Sequence, residues 1–379
     1  MNKNSNTKKK LLVDAHTFDE SHQGIRSFLK GIYSEIDLSN HDIEIIMVAN
    51  NIKNLKEEFK HQNQFKFVQL NFKNKYIRLA YEIPKLIKEL NIDFAHFNYF
   101  IPLFLSKKCK YIVTIHDVLF IDYPQFFPVK YRLINSLLFK RSAKKADILT
   151  TVSEYSKQRI QQHFNITKDI FILPNAVSSG YLENYDKQKD KRYIKNKFGI
   201  EKYIIFVSRL EPRKNHLTLL QAYKEMKLWN KGYSLVFIGK KTFEMKQLDL
   251  EIETVKKMSE GKLYLLNNIA NEELAKFYNA AELSIFPSLC EGFGIPPLES
   301  ATMKTPTLCS NTTAMSNYDF FGDYLFDPYS KSQLKHLITK IINNNLKPDL
   351  NEISEEVKTR YSWSKTSSVL YSLIINYDK

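Results

Sequence analysis

Three cysteines, Cys109, Cys290 and Cys309, are all that the 379 residues contain, and no two share a C-x-x-C spacing. That excludes a disulfide framework and points to a reducing compartment. The nine histidines form no H-E-x-x-H or H-x-x-x-H pair, so no metal ligand set is readable and no metal is expected. Long apolar runs are missing as well. Nothing approaches the roughly 18 residues needed to cross a bilayer. Near the N-terminus the run Leu11-Leu12-Val13 breaks at Asp14, so no secretory leader is expected and the reading is cytoplasmic. No short repeat or low-complexity tract interrupts the chain, which argues against solenoids and disordered tails. Acidic residues are the scarcer charge, 41 against 56 basic ones, leaving a formal net charge of +15. Such an excess favours anionic partners: nucleic acid, a membrane surface or a phosphorylated substrate. No helix-turn-helix, zinc or aromatic RNA-binding signature accompanies the charge, and no nucleic-acid partner is expected.

What is present is alternation. Short Val/Ile/Phe-rich runs ("KLLVDAH", "IEIIMVA", "YIVTIHDV", "YIIFVSRL", "YSLVFIG", "LSIFPS") are separated by amphipathic stretches. This is the pattern of parallel sheets wrapped by helices. The length suggests two domains. A hydrophilic stretch, "NYDKQKDKRYIKNK", reads on composition as the link between them. The expected division is a first α/β domain over 1–182, a linker over 183–200, a second α/β domain over 201–362, and a C-terminal helix over 363–379 that crosses back to the first. Two doubly wound domains with a cleft between them are expected.

Two loops carry candidate chemistry. "SLCEGFGIPPLES", Ser288 to Ser300, follows an apolar run and leads into a stretch whose prolines suit a helix start. Gly292 and Gly294 permit close backbone approach, and the helix terminus favours anions. Glu291 and Glu299 offer paired acceptors for hydroxyl groups. A ligand with hydroxyls at both ends and phosphates between them, a nucleotide sugar, would use all of these features. The second loop, "SRLEPRKN", places Arg209 and Lys214 after a strand, where fixed cations could neutralise a diphosphate. In the first half, Gly24 stands at a helix start and His116 just past a buried strand in "TIHD". His116 either hydrogen-bonds the transferred sugar or a phosphate, or is a core histidine satisfied by backbone.

These segments, together with "HQGIRSFLKGIY", "VTIHD", "ADILTTVSEYSKQRI", "ILPNAV" and "YSWSKTS", resemble the retaining glycosyltransferases of family 4 over nearly the whole chain. The resemblance implies the GT-B fold, two Rossmann-like domains, and metal-free transfer of a sugar from a nucleoside-diphosphate donor. It also implies roles. Glu299 would hold the donor ribose. Glu291 would face the donor sugar, with the backbone of Phe293, Gly294 and Ile295 close to sugar and phosphate. Arg209 and Lys214 would bind the diphosphate, His116 would contact the sugar near the reacting carbon, and the loop of Gly24 would border phosphate and acceptor. The acceptor would be a glycan or a lipid-linked sugar in cell-surface polysaccharide or glycolipid synthesis. A nucleotide-sugar epimerase of the same fold is the alternative. The chain departs from the family pattern in carrying one glycine rather than two in "HQGIR", and in "MKTPTL" and "TAMSNYDFFGD".

From Tyr123 to Ala146 there is no acidic residue and there are six basic ones, Lys130, Arg132, Lys140, Arg141, Lys144 and Lys145, interleaved with apolar residues. Residues 126–145 could lie on an anionic membrane, or could pack an apolar face on the core and leave the basic one solvated.

Overall fold

A computed structural model describes residues 8–19, 24–39 and 42–377. The chain forms two compact units, the first built from the chain up to Asn175 together with Ser362 onward, the second from Ala176–Tyr361.

The first unit holds seven strands: β1 (Lys9–Asp14), β2 (Ile43–Ala49), β3 (Lys66–Gln69), β4 (Phe94–Asn98), β5 (Lys110–Thr114), β6 (Ile148–Thr151) and β7 (Ile170–Ile172). They lie in the order β3-β2-β1-β4-β5-β6-β7, and every pairing is parallel. The near-continuous apolar runs follow from burial on both faces, since crossover helices cover a parallel sheet on each side.

The C-terminal helix Trp363–Ile375 belongs to this unit, as expected, and rests on the helix Gly24–Ser34. Gly31 makes the contact possible, because a Cβ there would stand 2.2 Å from the Trp363 indole. Lys9 Nζ donates to the last carbonyls of the C-terminal helix, 3.1 Å from that of Ile374. Thr366 Oγ1 donates to the Pro174 carbonyl at 2.9 Å.

The second unit holds β8 (Tyr203–Val207), β9 (Ser234–Ile238), β10 (Leu263–Leu266), β11 (Leu283–Phe286), β12 (Thr307–Ser310) and β13 (Leu325–Phe326). Their order is β10-β9-β8-β11-β12-β13, again all parallel. By position in the chain this is 3-2-1-4-5-6, the doubly wound order whose switch point lies between the first and fourth strands.

The expected linker is corrected. Residues 183–200 are no free connection but contain the helix Lys187–Phe198, capped at its start by Asp186 and ended by Gly199 at φ +71°. Buried Asp190 accepts from Asn279 Nδ2 at 2.8 Å, and Ile194 is fully buried. Composition misleads here because the contact with the neighbouring helix Asn271–Ala280 rests on few residues, buried Asp190 and Ile194 one turn apart and the Phe198 ring 4.9 Å from that of Phe277, while most other positions are charged or amide side chains. The boundary also falls earlier than 182: Tyr181 is part of the second unit, its ring 6.0 Å from that of Tyr278.

Candidate active site

Neighbouring strands β8 and β11 pair through Leu283 and Ile204, and both chemistry-bearing loops leave their carboxyl ends. That is the switch point of the sheet, where the connections diverge and leave a crevice. After β8 the chain passes Ser208 and Arg209, makes a tight turn over Pro212–Lys214, and turns at Asn215 (φ +61°) into the helix His216–Glu225. After β11 it runs through the glutamate loop into the helix Ile295–Thr302. The loops are tied together. Leu289 N–H donates to the Arg213 carbonyl at 2.8 Å, and Asn215 Nδ2 donates to the carbonyls of Pro287 (3.1 Å) and Pro328 (3.0 Å).

A buried ion cluster sits on this junction. Glu291 accepts from Lys214 Nζ, and from Arg213 at 3.0 Å. Arg213 also donates to Glu211 at 3.0 Å and to the Cys290 carbonyl at 3.2 Å. Burial opposes ionisation of Glu291, but Lys214 and Arg213 outweigh it and hold the carboxyl down at about 2. Burial and the Arg213 charge lower the Lys214 ammonium in turn, against the pull of Glu291. Arg209 lies outside the buried pair. It meets Glu211 at 2.9 Å while its own side chain remains 59% exposed, so its guanidinium still faces solvent. Arg213 and Glu211 were missed in the sequence, although "EPRKN" shows both beside Lys214. Nothing in a linear reading tells a surface arginine from one inserted between two carboxylates.

The rest of the loop is set by backbone needs. Gly294 has φ +103°, and a Cβ there would stand 2.9 Å from Met315 Cγ, so only glycine fits. The Tyr318 hydroxyl donates to the carbonyls of Phe293 (2.8 Å) and Gly294 (3.2 Å). With those oxygens engaged and Pro296 and Pro297 lacking N–H groups, the donors at this helix start are confined to Ile295 and the residues before it. Glu299 lies one turn into the helix. Its Oε2 accepts from the Tyr278 hydroxyl at 3.3 Å, and burial of its carboxyl raises the pKa to about 7 despite that hydrogen bond. The two glutamates are therefore electrostatic opposites: one is locked as an anion, the other titrates near neutrality. Cys290 is fully buried beside them.

Gly24 and His116 belong to the first unit. Gly24 is the first residue of its helix, and a Cβ there would meet nothing within 4 Å. The loop before it, residues 20–23, lies outside the described residues. His116 follows β5 and is buried. Its satisfaction comes from a side chain and not from backbone: Nε2 lies 2.8 Å from Asn98 Oδ1. Phe28 meets the ring edge-on at 4.8 Å, with Tyr99 5.4 Å away. Burial, with a smaller contribution from His96, lowers the imidazole to about 3, so it is neutral. Among the described residues no group of three or more His, Cys, Asp or Glu side chains could hold a metal ion.

Comparison with known proteins follows the same division. The sequence model described as "Glycosyl transferases group 1" matches residues 187–360, and that of "Glycosyltransferase Family 4" matches residues 32–180. The chain is 29% identical over 221 residues to O-antigen chain mannosyltransferase B of Escherichia coli, covering 58% of this chain and 56% of that protein. It is 27% identical over 203 residues to O-antigen chain mannosyltransferase RfbU of Salmonella typhimurium, covering 52% and 51%. The matched part thus spans about half the length of these curated relatives. Among solved structures, Anabaena Alr3699/HepE in complex with UDP superposes with a TM-score of 0.73 at 15% identity, covering 97% of this chain and 100% of that one. The same Anabaena protein is also known in complex with UDP-glucose. At that identity the likeness shows the fold, which is the expected GT-B.

Proposed function

We infer that this chain, which belongs to the group 1 and family 4 glycosyltransferases, moves a sugar from a nucleoside-diphosphate donor to a glycan or lipid-linked acceptor in cell-surface polysaccharide or glycolipid synthesis. The observation that carries the reading is the ion cluster of Arg213, Lys214 and Glu291, with Arg209 at its edge, at the switch point of the second sheet. Breaking the bond from anomeric carbon to phosphate leaves negative charge on the diphosphate and positive charge on the sugar. Arg209, whose guanidinium is the most open of the three cations, takes the diphosphate, with Lys214 and Arg213 behind it. Such preorganised charge stabilises the leaving group without moving at the moment of reaction. The positive groups suffice for a metal-free route. Glu291, already anionic, accepts from donor-sugar hydroxyls with its remaining lone pairs, and Glu299 accepts from the ribose. No enzyme nucleophile is required if the acceptor attacks the face that the diphosphate leaves, which retains the configuration. That the Anabaena protein of this fold is known in complex with UDP-glucose supports a sugar nucleotide as donor.

The membrane reading also gains support. In the helix Val129–Lys145 the inward residues are Asn135, Phe139, Ser142 and Ala143. Leu133 and Leu137 are 65% and 72% exposed, Ile134 is exposed beside them, and Lys130 and Lys144 flank the stripe. Next to it, Leu79, Phe100, Leu103, Leu138, Lys75 and Arg141 line a cavity of about 170 Å³. An outward apolar stripe between basic residues suits a peripheral seat on an anionic membrane. No helix among the described residues is long and apolar enough to cross one.

The test is calorimetric titration of the full chain with UDP, GDP and ADP in the presence of EDTA. Micromolar binding of one of them is expected and names the base. No binding of any would remove the donor-site reading.

A further inference from the structure

We propose that Asn98 is a positioning residue that fixes the tautomer of His116, so that the group it meets on a bound donor is a hydroxyl and not a phosphate oxygen. The inference rests on the proposed sugar-transfer reading for its ligand, but its first test does not. Asn98 ends β4 and His116 follows β5, so parallel pairing of Asn98 with Thr114 brings the two side chains together. Asn98 Oδ1 accepts from His116 Nε2 at 2.8 Å. An amide oxygen can only accept, so Nε2 carries the hydrogen and Nδ1 keeps a lone pair.

The neighbouring histidine makes the contrast. His96 uses both nitrogens internally: the Tyr33 hydroxyl donates to Nδ1 at 2.7 Å, and Nε2 donates to Thr114 Oγ1 at 2.8 Å. Thr114 passes the chain to Thr150 Oγ1 at 2.7 Å, and Thr150 ends it on the Val113 carbonyl at 3.3 Å. That histidine is closed off. Among the described residues His116 has a partner at Nε2 alone, and its Nδ1 is not one of the sealed, unpartnered atoms. Among the described residues Nδ1 thus keeps its lone pair for a ligand.

The surroundings hold this arrangement at a cost that packing alone would not require. Asn98 Nδ2 is buried with no partner, a penalty that an apolar residue of similar size would avoid. The next residue, Tyr99, sits at φ +64°, a strained conformation for a bulky side chain, with its ring stacked on Phe139 at 4.6 Å. Among the described residues, the titratable groups beside His116 are His96 on the adjacent strand, the phenol of Tyr99 and the adjoining Asp117. Burial holds His96 neutral too, at about 3, so neither imidazole supplies a positive charge. A neutral acceptor repels a phosphate oxygen and accepts from a sugar hydroxyl.

The test is imidazole ¹⁵N NMR of the full chain between pH 5 and 8, for wild type, Asn98→Asp and Asn98→Leu. Wild-type His116 should show a bare Nδ1 and a protonated Nε2 throughout. Asn98→Asp should let the ring take up a second proton within this range, and Asn98→Leu should mix the two tautomers. A protonated Nδ1 in wild type, the signature of a flipped amide, overturns the proposal. So does an unchanged tautomer in Asn98→Leu. Should that variant not fold, the near-isosteric Asn98→Asp still decides, since a ring that stays singly protonated there is equally fatal. In transfer assays with UDP-glucose and GDP-mannose, turnover by Asn98→Asp should gain an acid limb, falling roughly fivefold where the imidazolium forms, with no such limb in wild type. A wild-type limb at the same pH counts against the assignment. Failure of UDP-, GDP- and ADP-sugars alike to bind would defeat the transfer reading and leave the tautomer result standing.

Discussion

Glu299 and Glu291 share one loop and one helix start, yet their carboxyls lie on opposite sides of the ordinary range, at about 7 and about 2. The difference has a use. On the proposed ribose role, the ribose hydroxyls donate to Glu299, favour its ionised form, and so lower its pKa when the donor binds. Below pH 7 donor binding should then release a proton, and the dissociation constant should rise by up to about tenfold per pH unit as pH falls from 7. Calorimetry in two buffers of unequal ionisation heat would measure the release, and Glu299→Gln should abolish it. An affinity that is flat from pH 5 to 8 would contradict the ribose role. The cations separate in another way. Arg209→Ala removes an exposed partner of Glu211, so thermal stability should hardly change, while transfer should fall about a hundredfold. Arg213→Ala takes one partner from each of two buried carboxylates, with Glu291 keeping Lys214 and Glu211 keeping Arg209, and should cost about 1 to 3 kcal/mol of stability as well. Thermal unfolding beside turnover distinguishes them. Glu291, Glu299, Arg209 and Lys214 were visible in the sequence because glycine, proline and charge crowd into short loops after apolar runs. Arg213 and Asn98 were not. The role of each depends on a partner supplied by a different strand of the same sheet, 78 residues away for Arg213 and Glu291 and 18 for Asn98 and His116.

At the scale of the element, periodicity reveals that a helix has faces but not which face the protein covers. The stretch from Tyr123 to Ala146 read equally as a membrane seat or as a core helix with a basic exterior. The structure gives the helix both an inward set, with Phe139 and Ala143 buried, and an outward apolar set of Leu133, Ile134 and Leu137. Leu133→Glu with Leu137→Glu should leave the fold intact, since both side chains are exposed, and should abolish sedimentation with vesicles containing anionic phosphatidylglycerol. Undiminished sedimentation of the double variant would remove this face from the membrane reading. The linker was misread for a related reason: only Asp190 and Ile194 of Lys187–Phe198 are buried, with Phe198 packed on Phe277, too few inward positions to show as a periodic apolar face. Helix-to-helix fit is also element-scale. Gly31→Ala drives a methyl group into the Trp363 ring and should destabilise by about 1 to 3 kcal/mol. In a Trp363→Ala background the same change should be neutral or mildly stabilising, because alanine is the better helix former. A double-mutant cycle by chemical denaturation measures that coupling, and additive effects would contradict the packing described.

Across the whole molecule, the alternation of apolar and amphipathic segments was enough to read two doubly wound units, because each parallel strand carries its own apolar signal. Where the chain changes units was harder, because only contact decides it. The consequence is a chain whose first unit is discontinuous: its last helix arrives after the entire second unit has been made. Ending the chain at Tyr361 would remove Trp363 from Gly31, the carbonyls that Lys9 caps and the Thr366 bond to Pro174. It would also remove the buried side chains of Leu370 and Ile374 and uncover the face of the helix Gly24–Ser34 on which the C-terminal helix rests. The second unit loses none of its own contacts, because every group named in its ion cluster lies within Ala176–Tyr361. A chain truncated there should therefore lose hydrogen-exchange protection in β1, β2 and the helix Gly24–Ser34 while β8, β9 and β11 stay protected. Nucleotide binding, if it resides in the second unit, should survive with an affinity within about tenfold of the full chain, whereas sugar transfer, if it uses His116 as proposed, should be lost. Equal loss of protection in both sheets would show that the C-terminal helix supports the whole protein and not the first unit alone.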